Sequence, residues 1–100
     1  NLSGKKILIC GVAYKSNISD TRETPASSLF DQLIRENAEV YWHDPLVENW
    51  KENKISKLSD EIFDLTIVQV LHDLIDLNSI NVNSKVIFDC TGKISGVAHL

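Results

Sequence analysis

Lys15 and Arg22 stand seven residues apart in a polar stretch that follows the first apolar run of the chain, Lys6 to Gly11. A lysine ammonium is a point charge with three donors, and an arginine guanidinium is a planar five-donor fork. Both suit phosphate oxygens, and the lysine also suits a sugar hydroxyl. Thr24 and Pro25 end the stretch, and a helix that starts there adds free backbone amides with affinity for an anion. Blander roles remain open at this point: Lys15 as a solvated loop residue, and Asp20 with Arg22 as a salt bridge that only holds the loop. Gly11 is followed by Ala13, Tyr14 and Lys15, where a dinucleotide fingerprint needs Gly-x-Gly-x-x-Gly. A dinucleotide pyrophosphate therefore has no close approach to this backbone.

Other reactive side chains are scattered. His43, beside Asp44, reads as a general base or as a strand cap. His72 follows the apolar run Leu65 to Leu71 and is the better candidate for ligand contact. His99 lies near the end of the sequence. No serine, cysteine or carboxylate pair has a visible base partner for covalent catalysis. No Cys-x-x-Cys or His/Cys cluster has metal spacing, so no metal site and no catalytic residue is expected in this segment. Cys10 and Cys90 read either as a disulfide or reactive thiol, or as small buried residues of a reduced, cytosolic domain. We take the second reading.

These residues need a scaffold, and the sequence spells out much of it. One hundred residues, 43% hydrophobic and 24% charged, make one globular domain. The net charge of −4 weighs against nucleic acid or an anionic membrane as partner. It leaves room for a small anionic ligand, which responds to local charge. No apolar run approaches the length of a membrane span. Lys6 to Gly11 reads as a buried parallel strand. Thr24 and Pro25 suit the N-cap and first position of a helix, whose stripe is Ala26, Leu29, Phe30, Leu33 and Ile34. Asn37 suits its left-handed end. Glu39 to His43 is a second strand, stopped by Asp44-Pro45. Lys54 to Lys57 is expected as a short edge strand and Leu58 to Phe63 as a short helix. Leu65 to Leu71 is a buried strand, His72 to Asn78 a short helix, and Lys85 to Asp89 the last strand. Alternating strands and helices predict an α/β fold, a three-layer α/β/α Rossmann-like domain. The expected parallel five-stranded sheet has order 3-2-1-4-5, the weak edge strand being the third. The loops at Ala13 and Leu71 then open into one crevice where the winding reverses.

The stretch Gly11-Val12-Ala13-Tyr14-Lys15 with Asp20-Thr21-Arg22-Glu23-Thr24-Pro25-Ala26 resembles the signature of the C-terminal, UDP-binding domain of the UDP-glucose/GDP-mannose dehydrogenase family. Ala38-Glu39-Val40, Asp44-Pro45, His72 and the strand ending in Asp89 extend the likeness over nearly the whole chain. The resemblance implies an NAD-dependent enzyme that oxidises the C6 alcohol of a nucleotide sugar twice, to a uronate. It implies an N-terminal domain that holds NAD, a central dimerisation region, and a catalytic cysteine outside this segment. It places Tyr14 and Lys15 on the UDP-sugar and aims Arg22 across the domain cleft toward NAD. Glucose-specific members usually carry an arginine two residues after the last strand's aspartate. Here that position is Thr91, followed by Gly92 and Lys93, which hints at an N-acetylated UDP-hexosamine and leaves the sugar open between that and UDP-glucose.

Residues 1–100 are thus expected to be the UDP-sugar-binding domain of a longer cytoplasmic UDP-sugar 6-dehydrogenase, inactive by itself. The alternatives are a stand-alone Rossmann-like ligand-binding or regulatory module, and a structural α/β domain used for oligomer contacts.

Overall fold

The structure, a computed structural model, describes residues 1–58 and 61–94 and the strand residues 98–99. Its elements are β1 (Lys6–Cys10), α1 (Pro25–Arg35), β2 (Glu39–His43), β3 (Leu65–Val68), α2 (Leu77–Val82), β4 (Ile87–Asp89) and β5 (Ala98–His99). The strands form one parallel sheet in the order β2-β1-β3-β4-β5. The expected order 3-2-1-4-5 is therefore corrected. Lys54–Lys57 is not a strand: Lys54 makes a single bridge to Trp42. Asn53, at φ 66°, turns the backbone just before it, so pairing along the β2 edge cannot extend. The far edge is instead β5, whose His99 pairs in register with Asp89.

Alternation along the strands divides the core into two layers. Ile7, Ile9, Val40, Trp42 and Ile67 point to the face covered by α1, where Ala26, Phe30 and Leu33 are buried. Full burial of a Phe or Leu side chain contributes about 1.5–3 kcal/mol, so this stripe is what docks α1. The helix starts where the residues said it would. The Thr24 hydroxyl accepts from Ala26 N–H at 3.3 Å, Pro25 follows, and Asn37 takes φ 64° at the exit. Cys10 and Val68 point to the opposite face, against Ile75 and Ile80.

The second half departs from expectation in detail. Residues 72–76 are not helical, and the helix begins later, at Leu77. Asp76 sets that start by accepting from Asn78 N–H at 3.1 Å and Ser79 N–H at 3.3 Å. Leu74, within the turn before that helix, is 70% exposed. The expected helix over 58–63 falls partly on residues 59 and 60, outside the described ones. Phe63 is not helical; it bridges Ser84. No helix among the described residues is long and apolar enough to cross a membrane.

Cys10 lies buried on β1 and Cys90 follows β4, with β3 between them. Cys10 registers with Val68 and Cys90 N–H donates to the Val68 carbonyl. Two strand spacings are about 9–10 Å, beyond the ~7 Å Cα limit of a disulfide. Burial pushes both thiols up from their ordinary range, which keeps them protonated and unreactive. Non-reducing mass spectrometry is expected to find two free thiols. An intramolecular bridge would require a different strand order.

Candidate functional site

All the loops of interest leave the carboxyl ends of the strands, where open α/β sheets hold ligands. The loop after β1 and the loop after β3 touch there. Gly11 sits at φ 80°, and a Cβ at that position would stand 1.9 Å from the Val70 carbonyl oxygen. Only glycine fits, because the left-handed backbone and the contact both exclude a side chain. The same contact answers the question of NAD. The Gly11 backbone is covered by Val70, and α1 starts fourteen residues further on. This strand-helix turn does not fit a dinucleotide pyrophosphate.

Asp44, at the end of β2, organises the crevice floor. It is 1% exposed. Its Oδ2 accepts from Val12 N–H at 2.8 Å, Ala13 N–H at 3.3 Å and the His72 ring at 2.8 Å, while Oδ1 accepts from Leu46 N–H at 2.8 Å. One carboxylate thus joins the ends of β1, β2 and β3. His72, the better of the histidine candidates for ligand contact, is buried with it: its side chain has no exposed surface, and it serves here as a structural partner of Asp44. The Asn17 N–H donates to its Nδ1 at 2.7 Å. His43 is also occupied structurally, its Nδ1 lying 2.7 Å from the Ile55 carbonyl oxygen.

Above this floor the β1–α1 loop closes on itself. Tyr14 N–H donates to the Asp20 carbonyl at 2.7 Å, making a ring of residues 14–20. Tyr14 is 53% exposed, and Lys15 is exposed beside it. Among the described residues Lys15 has no carboxylate partner. Arg22 grips Asp20 with two nitrogens, Nη2 to Oδ2 at 2.7 Å and Nε to Oδ1 at 3.0 Å. Those bonds hold the Asp20 carboxyl down at about 2 and raise the guanidinium. Both side chains are solvated, so the pair contributes little to stability and is free to exchange partners. Tyr14, Asp20, Arg22 and Glu23 line a cleft of about 430 Å³. The structure thus brings Tyr14 and Arg22 together on one cleft. Lys15 is their neighbour along the loop but does not line it.

After β4, Thr91 spends both its donors on Asp89: amide to Oδ1 at 2.8 Å and hydroxyl to Oδ1 at 2.6 Å. Ile94 N–H reaches Oδ2 at 3.0 Å. This tight turn leaves Lys93 exposed. Among the described residues no three His, Cys, Asp or Glu groups are arranged to hold a metal ion.

A sequence model of the UDP-glucose/GDP-mannose dehydrogenase family, UDP binding domain, matches residues 8–95. The chain belongs to this family. It is the family's C-terminal, UDP-binding domain, and its relatives are UDP-sugar dehydrogenases. It is 33% identical over 73 residues to the UDP-N-acetyl-D-mannosamine dehydrogenase of Methanococcus vannielii, covering 73% of this chain and 17% of that protein. It is 46% identical over 46 residues to UDP-glucose 6-dehydrogenase 1 of Arabidopsis thaliana, covering 46% of this chain and 10% of that one. The fold superposes on the UDP-N-acetyl-mannosamine dehydrogenase of Staphylococcus aureus with a TM-score of 0.74 and 25% identity, over 98% of this chain and 26% of that chain. The chain thus spans about a quarter of the length of these UDP-sugar dehydrogenases at most.

The family's strongest motif, from Gly11 to Ala26, covers both the Tyr14–Lys15 shoulder and the Arg22 cleft. Sequence reading missed the work of Asp44 and of Asn17, which is tied both to His72 and to Asp73. Asp44 was visible only as the end of a strand, and nothing in the spacing tied Asn17 to residues 72 and 73.

Proposed function

We propose that this chain is the nucleotide-sugar-binding domain of an NAD-dependent UDP-sugar 6-dehydrogenase that oxidises the C6 alcohol to a carboxylate. The observation that carries this reading is the family match over residues 8–95, with the family's glycine-aromatic-lysine loop exposed at the crevice. In this reading Tyr14 lays its ring and phenol against the nucleotide, and Lys15 donates to a phosphate or sugar oxygen. Arg22 leaves Asp20 to meet NAD carried by another domain, an exchange made cheap by the solvated state of the pair. A central region supplies the dimer contact and part of the site, and the catalytic cysteine lies outside this segment. The free thiols at Cys10 and Cys90 suit a reducing compartment, the cytoplasm.

The turn after β4 bears on the choice of sugar. Thr91 brings no charge, and its donors are committed to Asp89. That favours a UDP-sugar other than UDP-glucose, with an N-acetylated hexosamine first. The test is NADH formation by the full-length protein with UDP-glucose and with N-acetylated UDP-hexosamines. Two NADH per sugar consumed, and a larger kcat/KM for the N-acetylated sugar, are expected. Absence of NADH with every UDP-sugar overturns the reading. The purified 100-residue chain is expected to produce no NADH from any UDP-sugar, since it offers neither a dinucleotide cradle nor a cysteine–base pair. Measurable turnover by it would place the reacting groups here.

A further inference from the structure

The ring of residues 14–20 is fastened to the rest of the molecule at Asn17. Its backbone N–H donates to His72 Nδ1 at 2.7 Å. Its side chain makes two bonds with the next residue, accepting from Asp73 N–H at 2.9 Å and donating to Asp73 Oδ2 at 3.3 Å. Asn17 stands at φ 62°, a conformation asparagine tolerates better than most residues. The chemistry of the imidazole orders this latch. A nitrogen that accepts an N–H carries a lone pair, so the His72 proton sits on Nε2, facing Asp44 Oδ2 at 2.8 Å. The other nitrogen must be the donor in that tautomer. Asp44 fixes the tautomer, and the tautomer leaves Nδ1 free to hold Asn17. A buried carboxylate is thereby linked to an exposed loop two residues from Lys15.

We propose that His72 is the positioning residue of the nucleotide-sugar loop, setting Lys15 and Tyr14 through its Nδ1 bond to the Asn17 amide. This rests on the reading that Tyr14 and Lys15 contact the UDP-sugar. His72 touches no substrate itself, because it is buried beneath the loop. The cost of releasing the latch is a misplaced lysine, and displacement of a binding group by about 1 Å is enough to lose up to about 100-fold.

Two substitutions separate the two ends of the imidazole. His72→Gln places an amide N–H where Nε2 stands and keeps the Asp44 bond, but offers nothing at Nδ1. His72→Asn places a carbonyl oxygen where Nδ1 stands and keeps the Asn17 bond, but no longer reaches Asp44. In the full-length protein, His72→Gln is expected to raise the UDP-sugar KM about 10- to 100-fold with kcat little changed. Hydrogen exchange of the peptide covering residues 14–17 is expected to quicken. His72→Asn is expected to melt lower, yet to keep a UDP-sugar KM close to wild type. A packing role alone would make KM follow the melting temperature, and that result overturns the proposal, as does a His72→Gln protein with unchanged KM and exchange. Should neither His72 variant fold, the wild-type full-length protein decides: the Asn17 amide, as donor to His72 Nδ1, is expected to exchange with solvent much more slowly than the exposed amides beside it, and an Asn17 amide that exchanges as fast as they do overturns the latch. Lys15→Ala measured alongside separates the two levels. If it raises KM while the latch variants do not, only the latch fails; if it too leaves KM unchanged, the loop is not the sugar site and both readings fall.

Discussion

Asp44→Ala is expected to destabilise the domain by about 3–5 kcal/mol, because it leaves several N–H donors unpaired at the end of the sheet. For a domain of this size that is a fall in Tm of about 12 °C or more. The size follows from what the carboxylate holds. Its loss strands the amides of Val12, Ala13 and Leu46 and the His72 ring N–H at the buried end of the sheet. Each unpaired buried group costs about 1–3 kcal/mol, partly relieved if water enters the space. Asp44→Asn is expected to lie between: it keeps the size and one acceptor oxygen, but turns an N–H₂ toward groups that are themselves donors. A calorimetric melt of the purified chain measures both. If Asp44→Ala melts close to wild type, the carboxylate does not organise the crevice floor.

Lys15→Ala is expected to leave the melt almost unchanged and to damage sugar use instead. The side chain is exposed and without an ion-pair partner among the described residues, so the free protein loses little. On the proposed reading the full-length enzyme would lose a hydrogen bond to a charged group of the UDP-sugar, worth roughly 1.5–3 kcal/mol. That is about 10- to 150-fold in kcat/KM for the sugar. Arg22→Ala is expected to act on the NAD side or on domain closure, leaving the sugar KM nearly intact. It too should not unfold the protein, since its pair with Asp20 lies in solvent. Steady-state kinetics with each substrate varied, beside a thermal melt, distinguishes the outcomes. Unchanged sugar kinetics in Lys15→Ala, or lowered melting temperatures in both variants, would make this loop structural.

These two expectations differ in how far the sequence alone announces them. Lys15 and Arg22 are legible because they sit in a compact motif between a strand and a capped helix. Asp44 is legible only as the residue that stops β2. The carboxylate's importance comes from three partners 28 to 32 residues away, and no local pattern states which loops will meet.

The same division runs through the whole chain. β1, α1 and β2 are set by interactions between near neighbours: an unbroken apolar run, the Thr24 hydroxyl on an amide two residues on, and a left-handed Asn37. Such signals survive in the sequence because their partners lie within a few residues. Where competing local signals existed, the stronger polar one won. The Asp76 cap placed α2 at Leu77 over an apolar pattern that began earlier, and Asn53 turned the 54–57 segment off the sheet. The family, the α/β class and the position of the 14–22 loop between a strand and a capped helix were thus set by residue order. The sheet edge and the burial of His72 were decided by tertiary structure, as was the linkage of Asn17 to residues 55 and 56 positions away. A buried polar group must find a partner, but which partner depends on the strands that come to lie side by side.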